Sequence, residues 1–166
     1  MRIVKLFLPA ILIALLGTLS SLALAADQSA IKLTSIAQTE VEIIGKSGKK
    51  TFKRIPVEKA VPGTVVIYTT TFENVIDKPA SHIVIDNPIP NDSEYKAGSA
   101  FGKNCEILFS VDGGKKFGRA EELKIRDADG KNHTALPKEY THIRWTYKGP
   151  LAAKKSGEVG FLAAIK

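Results

Sequence analysis

Nine consecutive residues, Thr64 to Phe72, constrain this chain more than any others, because every one of them is β-branched or aromatic. Such side chains lose rotamer freedom in a helix and pack well on a pleated surface. The spacing predicts a strand. Alternation puts Val66, Tyr68, Thr70 and Phe72 on one face, with Val65, Ile67, Thr69 and Thr71 on the other, more polar towards its end. Pro62-Gly63 supplies a turn before it. Asn74 to Pro79 breaks the pattern. A second strand is predicted over Ser81-His82-Ile83-Val84-Ile85. Pro88 and Pro90 are expected to end it, since two prolines do not fit a central strand.

The same period recurs along the chain. Ile31 to Ile44 reads as one or two strands, Gly45 to Lys50 as a turn, and Thr51 to Val57 as a strand that Pro56 marks as an edge. Cys105 to Val111 alternates, with Cys105, Ile107, Phe109 and Val111 on one side. In Tyr140 to Tyr147 the apolar side is Ile143, Trp145 and Tyr147, and Trp145 is expected in the core. Glu158 to Lys166 turns Val159, Phe161, Ala163 and Ile165 inward. Glu121 to Ile125 reads as a short strand or a helical turn. No stretch after Ala25 shows capped helical periodicity. Strands separated by turns are the pattern of an all-β sandwich.

The segments PGTVVIYTTTFEN and PASHIVIDNPIP, followed by Tyr95 and Gly98-Ser99-Ala100, carry a resemblance. With the closing IRWTYKGPLAAKKSGEVGFLAAI they resemble the bacterial conserved-repeat module called domain of unknown function 11. The likeness runs from about Ala60 to Lys166, with a long insertion between its two blocks. It departs from the family at Thr64 and Asn87, where acidic residues are usual, and at Lys154-Lys155-Ser156-Gly157, which replaces a proline-glycine turn. The resemblance implies an immunoglobulin-like β-sandwich on an exported protein.

Met1 to Ala25 reads as a secretory signal peptide. Arg2 and Lys5 form its basic start, Leu6 to Leu16 its apolar centre, and Ala23-Leu24-Ala25 fits small-x-small cleavage. The rival reading is an uncleaved anchor, since the apolar run approaches the ~20 residues a span needs. The cleavage triplet favours removal. Without a nearby cysteine no lipid attachment is expected, and no apolar tail suggests a C-terminal anchor. The expected organisation is a signal peptide over 1–25, N-terminal strands with a basic hairpin over 26–59, and the sandwich over 60–166. Loss of Arg2 and Lys5 lowers the formal charge from +7 to +5. That is weaker than a dedicated nucleic-acid binder shows, so no nucleic-acid partner is expected. Cys105 is the only cysteine, which leaves no internal disulfide and suits a small buried apolar residue.

Lys46, Lys49, Lys50, Lys53 and Arg54 fall within nine residues. Lysines on an edge hairpin discourage aggregation by strand pairing. The other reading is a patch for an anionic ligand, such as lipid head groups or acidic polysaccharide. Catalytic patterns are missing. His82 and His142 are expected on strands and His133 in a loop, none at metal-ligand spacing. Ser110 and Ser156 lack a nucleophile elbow. Asp127-Ala128-Asp129-Gly130 begins like a calcium loop, but its twelfth position is Lys138 rather than glutamate. Ser110, Asp112, Gly114 and Phe117 resemble the Asp-box hairpin, with phenylalanine for its usual tryptophan, and are read as a turn.

These readings predict an exported, non-enzymatic module without cofactor or metal. Its role would be binding or structural in the periplasm, cell envelope or medium, through strand edges or loops contacting another envelope or secreted protein. The alternative is a periplasmic binder of an anionic ligand through the basic hairpin.

Overall fold

The computed structural model describes residues 30–45 and 48–166. The expected signal peptide, 1–25, therefore lies outside the described residues, as does Lys46. Eleven strands and a single 3-10 turn at Pro137–Glu139 make up the regular structure among the described residues. They are β1 (Ile31–Ile44), β2 (Lys50–Pro56), β3 (Val65–Asn74), β4 (Val84–Pro88), β5 (Ser93–Tyr95), β6 (Phe101–Gly102), β7 (Cys105–Ser110), β8 (Lys124–Arg126), β9 (Asn132–Thr134), β10 (His142–Tyr147) and β11 (Ser156–Ile165).

The chain is an all-β, immunoglobulin-like sandwich. Its larger sheet runs β2-β1-β3-β11-β5, with β6 also paired to β11, and its smaller sheet runs β4-β10-β7. A separate hairpin joins β8 to β9. The pairings are antiparallel throughout.

The inward parity of each sheet builds the core. Phe72, Val159, Phe161 and Ala163 from the larger sheet meet Ile85, Ile143 and Trp145 from the smaller one, and all are buried. Trp145 is 0% exposed and stacks near Phe161, centroids 6.3 Å apart. Its Nε1–H has no hydrogen-bond partner. Burying so large a ring outweighs the cost of one orphaned donor. Gly157 stands opposite Phe72 in the β11–β3 ladder, and the Phe72 ring fills the space a Cβ would need. On the outer face, Ile67 and Thr69 are also buried, beside Leu162 and Gly160 of β11.

Polar clips close the loops. Asn74, 0% exposed, donates from Nδ2 to the carbonyls of Lys78, Leu151 and Ala152 at 2.8–3.2 Å. Its Oδ1 accepts from the Ile76 amide. The Tyr95 hydroxyl accepts from the Ala100 amide at 3.0 Å, tying down the turn between β5 and β6. The Asp-box reading holds as a turn. Ser110 Oγ accepts from the Gly114 amide, Asp112 Oδ1 accepts from the Lys115 and Lys116 amides, and Ser110 Oγ donates to Asp112 at 2.8 Å. Gly113 and Gly114 take φ of +76° and +82° there. The Asp127 stretch is likewise a hairpin turn, with its carboxylate accepting from the Lys131 amide.

Three expectations are corrected. The strand expected over Ser81–Ile85 begins at Val84 and runs on through Pro88. His82 has φ +58° and lies in the irregular stretch before the strand, not on it. Proline is tolerated because Pro88 points its ring nitrogen away from β10, where no ladder bond is lost. His133 lies on β9 and not in a loop. Cys105 is half-buried, with its thiol donating to the Lys103 carbonyl at 3.5 Å, and burial raises its pKa.

Candidate interaction surface

β1 is longer than the sheet that holds it. It pairs with β3 from Ile31 to Gln38 and with β2 from Gln38 to Ile44. Residues 39–44 thus lie past the β3 ladder, although the Thr39 hydroxyl still donates to the Val65 carbonyl at 3.1 Å. Continuing the register sets Thr39 and Glu40 beside Val66 and Val65, so the two-stranded arm clears β3 over residues 41–44, about 13 Å at ~3.3 Å per residue. Residues 31–38 belong to the sandwich itself, because they form a full ladder with β3.

The basic hairpin is this arm. Lys49 lies in its turn and Lys50, Lys53 and Arg54 on β2. Alternation separates them: Lys50, Phe52 and Arg54 share one face, and Lys53 sits on the other. The antiparallel register then neutralises two of them. Lys50 reaches Glu42 at 2.9 Å and Arg54 reaches Glu40 at 3.2 Å. Both pairs are exposed, so each contributes little to stability, but they leave Lys49 and Lys53 as the cations without an ion-pair partner among the described residues. The four described bases of the sequence cluster, Lys49, Lys50, Lys53 and Arg54, are therefore not one convergent patch. Phe52, on the same face as Lys50 and Arg54, is 68% exposed.

A second feature was not anticipated. The smaller sheet has three strands and ends at β4, whose Asn87 and Pro88 stand across from Ser35 and Ala37 of β1. An open cleft of about 330 Å³ results, lined by Ser35, Ala37, Tyr68, Thr70, Asn87 and Pro88 among others. At its floor Asn87 Nδ2 donates to Thr70 Oγ1 at 2.9 Å, and the Ser35 and Thr70 hydroxyls share a hydrogen bond of 2.9 Å. The sequence signal was the polar Thr70 on an otherwise apolar parity.

Beside the cleft runs the free edge of β4. Tyr147 donates to the Ile83 carbonyl, and Ile89 donates to the Thr141 carbonyl. With the constant register between them, odd positions of β4 bond to β10, and the backbone groups of Val84, Asp86 and Pro88 face outward. Asp86 is gripped in a bidentate pair by Arg144, both bonds 2.7 Å, and the guanidinium lies 3.8 Å from the Phe117 ring centroid.

The histidines do not converge. His133 Nε2 meets the Glu139 carboxylate at 3.1 Å. That carboxyl titrates below its usual range because it accepts from the Leu136 amide and faces His133. His142 bonds Thr141, and His82 is exposed in the irregular stretch before β4. Among the described residues no three His, Cys, Asp or Glu side chains are placed to hold a metal ion. No described helix is long and apolar enough to cross a membrane.

Compared with known proteins, the chain matches no family model, no curated protein and no solved structure.

Proposed function

We propose that this chain is an exported, non-enzymatic immunoglobulin-like module that acts in the cell envelope by binding another protein through its strand edges. The observation that carries the reading is that β2, on its arm, and β4, beside the open cleft, are among the strands that end their sheets without a partner strand. An edge strand presents a row of donors and acceptors that a partner strand completes. The Arg2/Lys5 start, the apolar run and the Ala23-Leu24-Ala25 triplet support export, and the likeness to domain of unknown function 11 agrees with it. An anionic-ligand site on the hairpin is the weaker reading, because Glu40 and Glu42 already engage two of its bases.

The test is fractionation of expressing cells with mass determination of the protein. Export predicts a mature N-terminus at or near Ala26 in the periplasm or medium. A full-length chain in the cytoplasm would sink the proposal. Salt-sensitive retention on anionic vesicles, lost when Lys49 and Lys53 become Gln, would favour the anionic-ligand reading instead.

A further inference from the structure

The two ends of the sandwich differ in the charge of their loops. Where β3 finishes, the loops are 75–83, 103–104 and 148–155. They hold five bases, Lys78, Lys103, Lys148, Lys154 and Lys155, against the single acid Asp77. At the other end, segments 57–64, 89–92, 111–117 and 135–141 hold four bases and four acids. The β1–β2 arm, with its own bases, lies past that balanced end.

Backbone bonds draw the basic loops together. The Lys155 carbonyl accepts from the Asn74 amide, and the Lys78 carbonyl accepts from Asn74 Nδ2. Ala80 and Leu151 exchange both backbone bonds, and the Lys148 amide donates to the carbonyl of Asn104, the neighbour of Lys103. All five lysines are exposed. Lys154 Nζ meets Asp77 at 3.1 Å, so the one acid is taken. Lys78, Lys103, Lys148 and Lys155 have no ion-pair partner among the described residues. At the rim, Lys32 stands opposite Glu73 in the β1–β3 ladder and Arg119 faces Glu106 at 3.9 Å, so these charges offset one another. Glu158, the third residue of β11, takes back one charge. Five bases less Asp77 and Glu158 leave this end at +3.

Residues 1–29 join the fold at this same end. The Ala30 carbonyl accepts from the Val75 amide, and Ile31 pairs with Asn74. The stretch read as a signal peptide ends five residues before Ala30, at most about 18 Å of chain. The ten residues of β3 separate the two ends by about 30 Å. The basic loops are thus the part of the domain that faces the bilayer while the apolar stretch is in it. We infer that this loop end docks on the surface of an anionic phospholipid bilayer, with the lysines of its three loops against the lipid phosphates. Lysines spread over three loops at one end suit a plane of negative charge. No exposed large apolar side chain lies in these loops, so the contact is electrostatic and stays at the head groups. The inference goes beyond the edge-binding reading and leaves the β2 arm free for a protein partner.

Cosedimentation with vesicles of the protein purified from expressing cells tests it. The protein binds vesicles of phosphatidylglycerol mixed with phosphatidylcholine and not phosphatidylcholine alone. Binding falls as salt rises past ~0.15 M, where the Debye length is about 8 Å. Each lysine removed weakens partitioning about fivefold, so Lys103→Gln, Lys148→Gln and Lys155→Gln together weaken it about a hundredfold. Lys49→Gln with Lys53→Gln leaves it unchanged. Where the triple variant fails to fold, fluorescence decides. In a Cys105→Ser background, a fluorophore on Ser81→Cys is quenched by a quencher attached to lipid head groups, and one on Asn91→Cys at the other end is not. Equal binding to both kinds of vesicle overturns the inference, as does quenching at position 91 as strong as at position 81. Binding lost in the Lys49 and Lys53 variant but kept in the triple variant assigns the contact to the hairpin and also overturns it. So does a protein that ignores anionic vesicles at low salt, even one that adheres to an acidic polysaccharide.

Discussion

The side chain of Asn74 donates to the backbone carbonyl of Leu151 at 2.9 Å, joining positions 77 residues apart at a fully buried site. With its bonds to Lys78 and Ala152 and the acceptance from Ile76, one carboxamide satisfies four backbone groups. Asn74→Ala takes the partner from the Lys78 carbonyl and the Ile76 amide, while the Leu151 and Ala152 carbonyls keep the Ala80 and Lys155 amides. The expected loss is about 2–4 kcal/mol, read as a lower urea midpoint. A loss under 1 kcal/mol would mean that water replaces the side chain.

Trp145 anchors the space between the sheets. Trp145→Ala should cost about 3–5 kcal/mol, a large share of a small domain's stability. Trp145→Phe should cost clearly less, because it also removes the unpartnered Nε1–H. Trp145 is the only tryptophan, so its fluorescence reports unfolding directly: blue-shifted when folded, red-shifted in denaturant.

Gly157→Ala should destabilise by about 1–3 kcal/mol, since the added methyl overlaps the Phe72 ring. Combining it with Phe72→Leu should recover part of that loss. Thermal melts of the two single variants and the double variant give the coupling.

The Asp112 carboxyl titrates below its usual range, chiefly because it accepts from the Lys116 amide, and also from Ser110 and Lys115. A depressed folded-state pKa stabilises above the unfolded value and loses that contribution as pH falls through the folded one. Asp112→Asn should therefore melt lower than wild type at neutral pH, and the gap should narrow in acid. A gap independent of pH would mean that the carboxylate's charge contributes nothing to the turn.

Lys49→Gln with Lys50→Gln should change folding stability by no more than about 0.5 kcal/mol, because both side chains are exposed on the arm. Denaturant unfolding of the double variant measures this.

Much of the fold was legible because period-two alternation survives wherever one face is buried. It placed Phe72, Ile143, Trp145, Val159 and Phe161 inward, as found. It failed at β4, where the chain turns through His82 in a left-handed conformation and continues past Pro88. Proline ends a strand only when its nitrogen is needed, and on this edge it is not. It failed at His133 because β9 is short and polar, so alternation has little contrast there. Of the candidate site, the basic residues were visible, but their division between two faces was not. That division and the pairing with Glu40 and Glu42 follow from the hairpin register, which Gly45 and Lys49 set by closing the turn. The cleft depends on the smaller sheet having three strands, a fact about sheet width that no local pattern carries.

The most direct test is a photocrosslinking amino acid placed at position 52 in the full chain, activated in living cells, with identification of whatever it captures. An exported module that binds by its edges predicts a protein adduct in the envelope or periplasmic fraction, on a chain that begins at or near Ala26. An unprocessed cytoplasmic chain with no adduct from position 52 would contradict it.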